Sequence, residues 1–261
     1  MSYKHFSVSM VAIGLMAFAA CSGSPPPAAE KPAEAPAAAA PAEPAAVAVP
    51  AEKGSVEVTV NFSGAAPKMP KLAREADPVC AKVKMNSDEV IVNANNTLKN
   101  AVVHTNGSNV PGTYPAATSE VVLDQKECMY APHVISVQAG QPVAIKNSDQ
   151  TLHNVHSYKG AETLFNQAQP PGAPNVTKTF EDGSTLVKFT CDVHPWMTGY
   201  AYVAKNPFHG VTGDDGKVSL KDIPVGTYKI EVWHEKYGTQ SVDVTVTANQ
   251  TATAAVTFAA Q

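Results

Sequence analysis

The sequence predicts an all-β fold, and three observations carry that prediction. Apolar and polar residues alternate over short runs, as in Val56, Val58 and Val60 against Glu57, Thr59 and Asn61, the period of a strand with one buried face. Clusters of Gly, Pro, Asn and Asp interrupt these runs at steady intervals, the punctuation of a sandwich or barrel. Beyond residue 54 no 3.6-residue apolar period persists, and Pro70 to Glu75 supplies a turn or two of helix at most. In order, Ser63-Gly64 ends the first strand, Glu89 to Asn93 predicts a second, and Asn95-Asn96 turns the chain into a third from Leu98 to His104. Val134 to Asn147 holds two strands around Ala139-Gly140-Gln141-Pro142. Val187, Phe189 and Cys191 share one face of another strand, and Tyr200 to Ala204 form a short closing one. Asp215-Gly216 and Pro224-Val-Gly226 are tight turns between the last strands, which run through Val218, Leu220, Tyr228, Ile230 and Trp233.

The first residues are an address rather than part of the fold. Lys4 precedes an apolar stretch from Phe6 to Ala20, and small residues lead to Cys21. This is the form of a secretory signal over residues 1–20, too short to cross a hydrocarbon core. With a cysteine directly after the cut, it resembles a bacterial lipoprotein signal. That resemblance implies lipidation of Cys21 and a membrane anchor, with plain secretion as the alternative; Ser22 points to the outer membrane. Residues 21–53 are rich in Ala, Pro and Glu and lack aromatics. Such a segment cannot bury enough surface to offset its ordering entropy, so it is expected to be a disordered tether, reaching on the order of 100 Å when extended.

The charge is slightly negative, at -4, with no basic cluster, which excludes nucleic acid as an expected partner. The four cysteines separate by context. Cys21 sits at the cut and Cys191 in a His/Met cluster. In an oxidising compartment Cys80 and Cys128 are most simply a disulfide, closing a loop worth roughly 4 kcal/mol in the chain-entropy picture. The competing reading makes Cys128 and His133 a second metal site.

The chemistry lies in Cys191-Asp-Val-His194-Pro-Trp-Met197, with His153 upstream in Leu152-His153-Asn154. Two imidazoles, a thiolate and a thioether are the donors of a blue-copper centre. Soft sulfur suits Cu(I) and imidazole suits Cu(II), so little rearrangement separates the two states. His156 is the rival upstream ligand. His133 shares parity with Ile135 and Val137, so it either approaches the site or is structural. His104, His209 and His234 have no companion donors nearby and read as structural or surface residues.

From Tyr130 to Met197 the chain resembles the cupredoxins, amicyanin and plastocyanin above all. The likeness rests on Tyr130-x-Pro132-x-x-Ile135-x-Val137, the turn at Gly140, the pair His153-Asn154, and Cys191-x-x-His194-x-x-Met197. It implies one type 1 copper ion, with His153, Cys191 and His194 equatorial and Met197 weakly axial. Asn154 would brace the ligand loop. Trp196 and Pro195 either face a redox partner or cap the loop. The segments at 54–64, 98–103 and 211–238 resemble a carboxypeptidase regulatory-like (transthyretin-like) β-sandwich. The expected organisation is therefore discontinuous, with a cupredoxin Greek-key sandwich at 118–205 inserted into an outer domain of 54–117 and 206–261.

The implied function is single-electron transfer in the bacterial periplasm, with a c-type cytochrome or a periplasmic dehydrogenase as partner and no small-molecule substrate. No enzyme is expected: no His-x-His pair for further copper sites occurs, and Cys191 stands alone in its loop. Copper storage, delivery or sensing would use the same ligands in a more open, Met-rich setting. An adhesive role through the outer domain, on Trp233 and Tyr237, is the remaining alternative.

Overall fold

A computed structural model describes residues 52–105 and 110–260. The predicted signal, the lipidation site Cys21 and nearly all of the tether lie outside the described residues. Sixteen strands follow one another: β1 (Lys53–Ser63), β2 (Val102–Thr105), β3 (Val121–Lys126), β4 (Met129–Ala131), β5 (Val134–Gln138), β6 (Val143–Asn147), β7 (His153–Lys159), β8 (Glu162–Gln169), β9 (Val176–Lys178), β10 (Thr185–Thr190), β11 (Thr198–Ala204), β12 (His209–Val211), β13 (Lys217–Pro224), β14 (Gly226–His234), β15 (Gly238–Val246) and β16 (Thr251–Ala259). The fold is all-β, and no α-helix occurs among the described residues.

The strands form four sheets, in the orders β13-β1-β16, β12-β2-β14-β15, β5-β11-β10-β7-β8 and β4-β3-β6-β9. Alternation builds the first. Val56, Val58 and Val60 are buried and their neighbours half-exposed, and β1 lies between antiparallel β13 and parallel β16. Its buried face meets the β12-β2-β14-β15 sheet over Leu98, Ile223, Ile230 and Phe258. The other two sheets enclose Leu123, Tyr130, Ile145, Phe189 and Met197. A third cluster of Val102, Val134, Tyr202 and Ala204 joins the two pairs. Strand β2 is buried along its whole length: Val103 faces one core and Val102 the other. Strands covered on both sides carry continuous apolar runs rather than alternation, as in Ala101-Val102-Val103.

Polar contacts cross the same seam. His209 Nδ1 lies 2.9 Å from Ser136 Oγ, the Tyr202 hydroxyl lies 3.0 Å from His104 Nδ1, and Tyr200 meets Trp233 edge-on. His104 and His209 thus belong to the seam, and buried His234 accepts from Lys236 N at 3.1 Å. His133 is not among the donors that gather around Cys191. Its Nε2 pairs with Glu235 and its Nδ1 lies 3.3 Å from Asp88. Burial opposes the imidazolium, but the two carboxylates outweigh it and push the His133 pKa up to about 10.

Several strand expectations need correction. Residues 89–93 form no strand; they keep a single bridge, Val92 to Leu98. The run from Leu98 is broken because Asn100 adopts φ +62, so β2 begins only at Val102. The segment Tyr130-x-Pro132-x-x-Ile135-x-Val137, on which the likeness partly rests, is split between β4 and β5, which belong to different sheets. The helical turn near Pro70 to Glu75 is instead a short 3₁₀ turn at Cys80–Lys82.

The His133 pairing gives a signed pH dependence. A raised folded-state pKa adds stability that is complete below the ordinary value near 6.5 and is lost as pH rises through about 10. Urea unfolding at pH 6 and pH 10.5 should show the wild type losing more stability than His133→Gln, by a few kcal/mol at most. Equal losses would remove His133 as the origin.

Candidate metal centre

The centre forms where three strand ends meet. His153 opens β7, Cys191 directly follows β10, and Met197 directly precedes β11. β10 pairs with both β7 and β11, so the ladder brings the three ends side by side. The loop between β10 and β11 is closed by backbone bonds from Cys191 N to Met197 O, 3.3 Å, and from Met197 N to His194 O, 2.9 Å. This tight return folds His194 inward beneath exposed Val193 and Pro195. Gly199 lets the loop sit close, since a Cβ there would stand 3.0 Å from Tyr130 Cβ.

The donor atoms converge. His153 Nδ1 lies 2.9 Å from His194 Nδ1, and Cys191 Sγ lies 3.8 Å from His194 Nδ1. His153, Cys191 and His194 together form a metal-sized group, all buried. Met197 is fully buried in the same cluster as Cys191. Cys191 is a free thiol.

Carboxylates hold the outer edges of both rings. Asp149 Oδ2 is 2.9 Å from His153 Nε2, and Asp77 Oδ2 is 3.0 Å from His194 Nε2. A carboxylate only accepts, so each Nε2 carries the proton and each neutral ring presents a lone pair at Nδ1. Two lone pairs at that separation repel unless a proton or a metal ion stands between them. Burial, above all, holds His153 below the ordinary imidazole range against the pull of Asp149, and His194 adds to the effect. A charged His153 is therefore disfavoured. Two imidazoles, a thiol and a neighbouring thioether suit a soft or borderline metal, and the residues present fit copper.

Asn154 bonds to the loop. Its Oδ1 accepts from Asp192 N at 2.7 Å and from Cys191 Sγ at 3.3 Å, and its Nδ2 donates to Asp192 Oδ2 at 2.9 Å. His156 is not in the donor group; its Nδ1 lies 3.0 Å from Asp192 and its Nε2 3.0 Å from Thr163. Trp196 lies tilted against His194, ring centroids 5.0 Å apart, and donates Nε1–H to Cys128 O at 3.0 Å, so it caps the loop, while Pro195 stays exposed. Cys80 and Cys128 form a disulfide, which removes the alternative of Cys128 with His133 as a second metal site.

Three contributors escape a reading of the sequence. Asp149 had a usable signal, a carboxylate four residues before the histidine. Asp77 is far away in sequence and marked only by Asp-Pro-x-Cys. Tyr130 is the third; its hydroxyl, with one proton to give, lies 2.7 Å from Asn154 O and 2.8 Å from Thr190 O, tying β7 to the start of the ligand loop.

No family model matches the chain, and no curated protein matches it in sequence. Among solved structures it is similar to a purple cupredoxin from Nitrosopumilus maritimus, at 22% identity over 33% of this chain and 99% of that one, with a TM-score of 0.29. It is also similar to amicyanin from Paracoccus versutus, at 19% identity over 39% of this chain and 96% of that one, with a TM-score of 0.30. A copper-containing nitrite reductase from Thermus scotoductus SA-01 matches at 18% identity over 36% of this chain and 24% of that one, again with a TM-score of 0.30. At such scores the assignment falls to the side chains themselves.

Tyr130→Phe removes the one proton shared between Thr190 O and the buried Asn154 O, a change that costs about 1–3 kcal/mol. Chemical denaturation should show a loss of that size with the slope unchanged; an unaltered midpoint would mean that the bridge is idle.

Proposed function

We propose that this chain is a type 1 copper protein that carries single electrons between redox proteins of the bacterial envelope. The convergence of His153 Nδ1, His194 Nδ1 and Cys191 Sγ, with both outer ring edges bonded to carboxylates, is the observation that supports this reading. His153, Cys191 and His194, with Met197, would hold the ion. Bound copper supplies a one-electron couple. The chain's own work is to keep the ligands fixed, so that little moves when charge changes.

Burial favours the carrier over copper delivery. Cys191 is 2% and His194 4% exposed, whereas a delivering site must open its ligands to exchange. Leu152, 45% exposed, and Val193, 50% exposed, each precede a histidine of the group. With Pro195 they offer a small apolar face for a partner such as a c-type cytochrome or a periplasmic dehydrogenase. The proposal includes export and anchoring through Cys21 at the outer membrane, and no enzymatic step. It also treats 54–117 with 206–261 as one sandwich interrupted by 118–205, in line with the pairing of β1 to β13 and β16.

Copper(II)-loaded protein should show an intense visible thiolate-to-copper band. Cys191→Ser and His153→Ala should abolish it, and His156→Ala should keep it. A colourless wild type under saturating copper would defeat the reading. Rapid loss of Cu(I) to a chelator, with slow electron self-exchange, would favour copper handling. For the domain proposal, a fragment of residues 206–261 should fail to fold for want of β1; cooperative unfolding of that fragment would overturn the interrupted arrangement.

A further inference from the structure

Between β1 and β2 the chain crosses the end of the ligand-bearing sheets. Residues 72–83 lie there as a strap, held in three ways. The Cys80–Cys128 disulfide ties it to the turn between β3 and β4. Arg74, nearly inaccessible, donates to Val83 O at 2.9 Å and to Glu127 O, clamping the strap to that same turn. Asp77 reaches the ligand loop. Its Oδ1 accepts from the backbone N–H groups of Val79, at 2.7 Å, and Cys80, at 3.2 Å. Its Oδ2 accepts from the Thr151 hydroxyl at 2.7 Å and from His194 Nε2 at 3.0 Å. Four donors on one carboxylate leave it a single orientation.

Resting on the copper reading above, we propose that Asp77 is a positioning residue for the metal, supplied by the strap and not by the sheets that carry the ligands. By accepting the Nε2 proton, it fixes the His194 ring with Nδ1 toward His153 and Cys191 and makes that ring a stronger donor, as carboxylate partners do for ligating histidines generally. The only other group bonded to this ring edge among the described residues is Cys80 Sγ, 3.7 Å away, a weak partner. The orientation of His194 is thus set from outside its own loop, and the centre is complete only while the strap is docked. A redox partner then meets Leu152, Val193 and Pro195 rather than the outer imidazole edge, which Asp77 and the disulfide cover.

The test uses the full chain with Asp77→Asn, which keeps shape and disulfide but removes the charge. In the metal-free protein, the His194 ring N–H resonance should be slowly exchanging in wild type and lost in the variant. With copper, affinity should fall by about 10–100-fold, and the reduction potential should rise because Cu(II) loses more than Cu(I). Thr151→Val, which removes only a neutral bond to the same oxygen, should move both quantities in the same direction by less. Cys80→Ser with Cys128→Ser should lower stability while leaving the potential near wild type. Wild-type affinity, potential and ring protection in Asp77→Asn would overturn the proposal. Failure of wild-type protein to bind copper would defeat the copper reading instead, while the ring resonance would still report on the Asp77–His194 contact.

Discussion

An ionised carboxylate has no proton to give, and at this centre two of them stand behind the two imidazoles. Asp149 and Asp77 thereby decide which nitrogen of each ring is protonated, and so decide that both lone pairs point inward. Burial opposes ionisation of Asp77, yet Thr151, the backbone N–H groups of Cys80 and Val79, and His194 together hold its carboxyl well below the usual range. The acceptor is therefore permanent. The Tyr130 bridge, the Asn154 fork and the Trp196 cap all serve to keep this one arrangement of rings from relaxing.

That arrangement needs stiff surroundings, and the sheets provide them. Of the candidate ligands, His153, Cys191 and Met197 sit at strand ends and His194 in the short loop between β10 and β11, so their backbone positions are fixed by the β7, β10 and β11 ladder. On the far side of β11, Tyr202 and Ala204 pack against the face of β2. The strands that carry the donors are in this way buttressed by β2 and its neighbours β12 and β14. His133, clasped between Asp88 and Glu235, is the charged counterpart of this apolar seam.

Much of this was legible in the sequence, for reasons that differ by element. The alternation around Val56 and the Cys191 to Met197 cluster are local signals: one is a period and the other a set of scarce residues at short spacing. Both survive because a one-residue slip would turn every side chain of β1 to the wrong face, and because the ligand loop is closed by its own backbone bonds. The strand expected at 89–93 had the right composition but no partner over more than one residue, and pairing rather than propensity makes a strand. The strap was illegible for another reason. Asp77 acts on His194 across 117 positions, and a lone Asp before Pro looks the same in sequence whether it starts a turn or holds a ligand. The disulfide could be inferred by elimination; that it would press against the metal loop could not.

The position of β1 has a mechanical meaning. It is the middle strand of its sheet, and it runs parallel to β16 over nine consecutive partners, from Ser55 with Thr251 to Ser63 with Ala259. Tension drawn from the N-terminal end of β1 against the C-terminal end of β16 pulls the two strands past each other along their length. All the intervening hydrogen bonds then share the load at once, instead of parting one by one as they would if the strands were peeled apart. A chain held by its N-terminal side is thus gripped at the place where its sheet resists extension best.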